Sequence, residues 1–157
     1  MKKPNVNKNE VRQPEEIWNA VIAALVEYEY PTESEAVNDA FNLFHYYSGM
    51  ESGGHEGFLS AAEDMIEAVG SEHYFQELIA ALEKIGAHDC ARIEKAYGQK
   101  LWSLYQALEH DESEEDPFYR LIEKADEEYG RLGGKLEQML EGYFIEHYHD
   151  FIDVVEK

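Results

Sequence analysis

The sequence predicts an all-α fold, a single globular bundle of about seven helices, on three observations. Apolar residues recur three and four apart along most of the chain. Glycine and proline interrupt those runs at helix-length intervals, and no stretch shows period-two alternation bounded by hairpin turns. The chain has 157 residues, 44% of them apolar and 13% aromatic. That suffices for one domain with a real core and is too little for two.

Residues 1–13 are polar and basic, with Lys2, Lys3, Lys8 and Arg12 against Glu10 alone, and read as a mobile N-terminal arm. Residues 14–157 read as one acidic all-α domain. Pro14 suits a first helical turn, with Glu15 and Glu16 at the favourable end of the dipole. Ile17, Trp18, Val21, Ile22, Leu25 and Val26 give that helix its stripe, and Pro31 ends it. Thr32-x-x-Glu35 reads as a capping box for a second helix carrying Val37, Ala40, Phe41 and Phe44, with Gly49 as its C-cap.

Glu51-Ser-Gly-Gly-His-Glu-Gly-Phe58 interrupts the pattern. Adjacent glycines are costly in a helix interior and read as a tight corner where backbone approaches backbone. The third helix then runs from Phe58 to Gly70. Ser71 is the expected N-cap of a fourth, closed by Gly86. Cys90, Ile93, Tyr97, Leu101, Leu104 and Leu108 mark a fifth. Asp116 as cap and Pro117 as first residue open a sixth, with Phe118, Leu121, Ile122 and Ala125 facing in. Gly133-Gly134 makes the last turn, and a long helix from Leu136 to Val155 finishes the chain.

The charge is one-sided. Net charge is −21, and the part from Glu15 onward holds 9 basic and 33 acidic residues, a charge of −24. Between Gln13 and Glu83 there is no lysine or arginine at all. A soluble helical protein usually alternates signs on its exposed faces, because opposite charges three or four apart support a helix and like charges weaken it. Such a charge repels nucleic acid, anionic lipid and free nucleotides, and draws cationic proteins in. Direct nucleic-acid binding is therefore not expected, although the 11 tyrosines could offer bases a stacking surface.

Other classes find little support. Cys90 is the only cysteine, so no intramolecular disulfide and no C-x-x-C motif exists. No apolar run is long enough to span a membrane and the N-terminus lacks a signal-type apolar region; the expected location is cytoplasmic. No cofactor motif or nucleophile elbow is present. Glu146-x-x-His149 has one copy of a spacing that di-iron bundles use twice. His45, His55, His73, His88 and His110 read as surface or cap residues. No enzymatic activity, cofactor or metal ligand is expected.

Three groups of residues carry a resemblance. They are Glu51-x-Gly53-Gly54 after an aromatic-rich helix; Ile85-Gly86-Ala87 with Ala91 and Ile93 downstream; and a C-terminal block of Asp116, Phe118, Leu121, Tyr129, Leu136-Glu137, Leu140, Tyr143-Phe-Ile-Glu-His147 and Phe151. Together they resemble the small bacterial all-α acidic family of the DNA-mimic protein type, over roughly Glu33 to Lys157. The C-terminal block is the most specific part. His55, Glu56, Gly57, Phe58 and Leu59 depart from the family's pattern after the two glycines. The resemblance implies the fold and, for some members, occupation of the DNA-binding surface of a basic protein.

Carboxylates three or four apart on a helix sit about 5–6 Å apart at Cβ, comparable to neighbouring phosphates on a DNA strand. Candidate rows are Glu35 with Asp39, Glu63 with Glu67, Glu123 with Glu127, and Glu137 with Glu141. The segment Glu109, Asp111, Glu112, Glu114, Glu115 and Asp116 adds six acids in eight residues. The expected partner is a basic protein, such as a DNA-binding regulator or nucleoid protein, met by a monomer or homodimer. The alternatives are an immunity-type inhibitor of a cationic protein, or a metal-binding helical bundle.

Overall fold

A computed structural model describes residues 2–156. Helix periodicity becomes six α-helices: α1 (Pro14–Val26), α2 (Glu35–Val69), α3 (Ser71–Lys84), α4 (His88–Ala107), α5 (Glu115–Gly130) and α6 (Lys135–His147). The count is six rather than about seven because one helix continues through the glycine corner. Only Gly53 (φ −163°, ψ 24°) and Gly54 (φ 62°, ψ −153°) leave helical geometry, so α2 is one bent helix with two arms.

Glycine is needed on both sides of that bend. Gly54 lies in a region open almost only to glycine, and a Cβ there would stand 2.4 Å from Asp126 Oδ2. A Cβ on Gly49 would stand 2.5 Å from the Cα of Phe58. The two arms thus meet backbone to backbone, as the paired glycines predict.

Several boundaries differ from expectation. Ser34, not Thr32, caps α2, its hydroxyl accepting the Val37 amide at 3.2 Å; Thr32 bonds Asn38 instead. Gly70 is the N-cap of α3, and Ser71 is already helical. A 3-10 turn over Glu112–Glu114 leads into α5, which begins at Glu115 ahead of Pro117. The last helix stops at His147 and turns through Tyr148–Asp150 into a short strand.

That strand, β2 (Asp153–Val155), pairs in parallel with β1 (Asn5–Asn7), Val6 lying opposite Val154. Period-two alternation is too short to see in three residues. Where a mobile arm was expected, the first residues are placed against the C-terminal segment. Lys3 Nζ donates to the His149 carbonyl at 3.1 Å and Asp153 donates its amide to Pro4 O at 2.9 Å. The Tyr28 hydroxyl, at the end of α1, donates to the Phe151 carbonyl at 2.7 Å.

The core is aromatic. Tyr46, Phe58, Tyr74, Phe75, Phe118, Phe144 and Phe151 are fully buried. Helices α2 to α5 pack in sequence order, while α1 lies on α6. There Trp18 meets Phe144 at 5.3 Å and Tyr47 at 5.8 Å.

The bend yields a paired test. Gly54→Ala must adopt a forbidden backbone and displace Asp126, and is expected to cost about 2–3 kcal/mol or more in urea denaturation. Gly53→Ala has open space and an extended φ that any residue adopts, and should stay within about 1 kcal/mol of the parent.

Candidate functional site

The corner in α2 sets what the rest of the molecule can present. His55 is the first residue after Gly54 and is completely buried, contrary to its reading as a surface or cap residue. Its backbone amide donates to Asp126 Oδ1 at 2.9 Å, and its Nδ1–H donates to the same oxygen at 2.7 Å. Its Nε2–H donates to Glu94 Oε2 at 2.6 Å. Glu94, also buried, accepts from the Tyr46 hydroxyl at 2.7 Å. Burial alone would lower the imidazole's pKa, but Glu94 and Asp126 outweigh it and raise it to about 9. The ring is an imidazolium between two carboxylates, tying the bend to α4 through Glu94 and to α5 through Asp126.

This arrangement is structural in its chemistry. Both ring nitrogens are taken, so His55 offers no lone pair to a metal. Among the described residues no group of three or more histidine, cysteine or acidic side chains is placed to hold a metal ion.

Outside the core, the predicted acidic residues divide. Asp39 is buried, with Lys84 Nζ at 2.6 Å from its Oδ2. Burial raises its carboxyl pKa, and the Lys84 contact opposes the rise. It is therefore no member of an exposed row with Glu35, which is exposed near the same lysine. Glu127 is ion-paired with Arg131 at 2.6 Å, and Glu123 on the same helix is exposed beside Lys124. These two rows lie in cation-bearing surroundings.

The second arm of α2 is different. Glu56, Glu63 and Glu67 follow at seven- and four-residue spacing, on one face of the helix. None of them takes part in a lysine or arginine ion pair among the described residues. Two tyrosines from neighbouring helices meet this face. Tyr119 of α5 donates its hydroxyl to Glu56 Oε2 at 2.8 Å, and its pKa is raised by that bond. The pKa of Tyr105 of α4 is raised by burial and by nearby Glu63, with Glu109 adding to the effect. Glu115 adds its field at Tyr119. The fold thus gathers Glu56, Glu63, Glu67, Glu109 and Glu115 along one seam.

Asp111 braces the acidic segment, accepting the Ser113 amide at 3.0 Å and its hydroxyl at 2.6 Å. Its pKa is lowered by those two bonds. Glu112, Glu114 and Asp116 stand around it in the 3-10 turn and the first turn of α5, Glu114 half-buried and the other two exposed.

Tyrosine as a carboxylate partner recurs. Tyr97 donates to Glu128, Tyr46 to Glu94, Tyr47 is coupled to Glu137 and Tyr129 to Glu51. A phenol orients a carboxylate without cancelling its charge, which a lysine or arginine would do. The excess of tyrosine was the signal in the sequence; weighing it only as a stacking surface for bases missed this use.

The buried imidazolium makes stability depend on pH. A pKa raised on folding means the folded state holds the proton more tightly. The contribution of His55 is complete below its ordinary pKa of 6.5, fades as pH rises, and is gone above about 9. His55→Asn should destabilise by about 3 kcal/mol near pH 6, and the gap to the parent should shrink across pH 6.5–9 in urea titrations. A gap that is constant with pH would contradict the ion triad.

No curated protein and no solved structure matches the chain. No helix among the described residues is long and apolar enough to cross a membrane. The family model described as DMP19-like protein matches residues 31–148, from within the segment before α2 to the first residue after α6. That range is about three quarters of the chain and holds the bend, the ion triad and the acidic seam. The chain therefore belongs to the DMP19-like protein family.

Proposed function

We propose that the protein is a non-enzymatic binding protein that occupies the DNA-binding surface of a basic nucleic-acid-binding protein. One observation carries the reading. The seam of Glu56, Glu63 and Glu67, flanked by Glu109 and Glu115, has the Tyr119 hydroxyl bonded to Glu56 and Tyr105 beside Glu63, and bears no lysine or arginine ion pair among the described residues. Its negative charge is therefore both oriented and undiminished. Phosphates on a DNA strand share those two properties: fixed spacing and full charge. Family membership and the net charge of −21 point the same way. The partner is a DNA-binding regulator or nucleoid-type protein, met in the cytoplasm.

A partner that reads DNA through lysine and arginine would meet the seam electrostatically. Association would be fast at low ionic strength and weaken steeply as salt rises. The bent α2 keeps the row on a rigid arm, so little ordering cost falls on binding.

The test is displacement of labelled DNA from basic DNA-binding proteins of the host at about 0.05 M and about 0.3 M salt. Displacement is expected at the lower salt and lost at the higher. The triple variant Glu56→Gln/Glu63→Gln/Glu67→Gln should weaken it by about tenfold or more. An unchanged competition curve for that variant would remove the seam from the function.

A further inference from the structure

A surface cavity of about 500 Å³ lies between the start of α1 and α6, lined by Gln13, Pro14, Glu15, Trp18, Glu137 and Glu141. Trp18 is half-buried and forms its apolar wall. The Trp18 ring is held in place by Phe144 and Tyr47. Tyr47 is in turn coupled to Glu137 and Glu51, so a fourth carboxylate stands close by. None of Glu15, Glu51, Glu137 and Glu141 is in a lysine or arginine ion pair among the described residues.

The cavity is built for a cation. An indole ring attracts a guanidinium or ammonium over its face, and carboxylates at the edge add direct charge. An anion finds few free backbone donors at the helix start and three carboxylates around it. Pro14 has no N–H, and the amides of Arg12 and Gln13 are both taken by Glu16 Oε1, at 3.1 and 2.9 Å. Arg12, next to the lining in sequence, does not line the space, and its guanidinium donates to Asn9 Oδ1 at 2.5 Å.

We infer that this cavity receives a single arginine or lysine side chain from the basic partner, and so serves as an anchor point separate from the seam on α2. The inference deepens the docking role proposed above and rests on it for the partner's chemistry. A flat acidic row attracts any basic surface. A ring-walled cavity distinguishes one protruding side chain, and such central aromatic anchors usually carry a large share of binding energy.

The probe is a hexa-arginine peptide, and the readout is the two indole N–H resonances in a ¹⁵N correlation spectrum. The Trp18 resonance should move saturably, while that of Trp102, buried in the core, should stay. Glu137→Gln/Glu141→Gln should weaken binding by about tenfold. Glu27→Gln/Glu72→Gln removes the same charge at the far end of α1 and the start of α3, and should weaken it less than about threefold. The full spectrum of each variant reports whether it is folded.

A static Trp18 resonance, or equal weakening by both pairs, would overturn the anchor. The seam would then survive if DNA displacement still depends on Glu56, Glu63 and Glu67. Conversely, a moving Trp18 with no displacement of DNA would retain the anchor and remove the proposed function.

Discussion

The structure depends on one buried proton. His55 carries it, and the carboxylates of Glu94 and Asp126 hold it there from two different helices. Without it, two negative charges would face each other across the corner of α2, in a medium where their repulsion is strong. With it, the corner becomes the junction of three helices. Gly54 leaves the room that Asp126 fills, and the backbone amide of His55 finds its acceptor in the same carboxylate. The geometry of the acidic seam is inherited from this junction, because the second arm of α2 leaves it in a fixed direction, with Tyr119 of α5 and Tyr105 of α4 beside its acidic face.

A molecule with so much negative charge needs another way to fix its carboxylates. Lysine and arginine would do so at the cost of the field itself. Tyrosine does so while keeping the field, and it also brings an aromatic ring to pack against the helix it comes from. Tyr119 shows both roles, donating to Glu56 at one end and stacking edge-on to buried Phe118 at the other. The fully buried Tyr46 shows the same division, with Phe58 beside its ring and Glu94 at its hydroxyl.

Much of the fold was legible because helices write themselves locally. The stripes of α1, α3, α4 and α5 and the corner at Gly53-Gly54 could be read from spacing alone. The interactions that matter most could not, because they join distant positions. His55 meets Glu94 and Asp126 across 39 and 71 residues, and Lys8 meets Glu156 across 148. Signals were nevertheless present. Glu94 sits in the apolar stripe between Cys90 and Leu101, and Asp39 sits in the stripe that continues through Leu43 and Tyr46. A carboxylate on a buried stripe requires a buried partner, and reading Asp39 as half of an exposed pair overlooked that. The cavity at Trp18 needed α1 and α6 to be neighbours, which no local pattern states.

The absence of lysine and arginine from Gln13 to Glu83 reaches beyond electrostatics. It leaves α1, α2 and nearly all of α3 without a primary amine. The first one met after Arg12 is Lys84, already held by Asp39. Trypsin has no cleavage point in that half, and lysine acetylation has no target there. Amine-directed cross-linkers would be equally blind to a protein docked on it. Chemistry that couples a carboxylate on this chain to an amine on its companion is the kind that can record where the two touch.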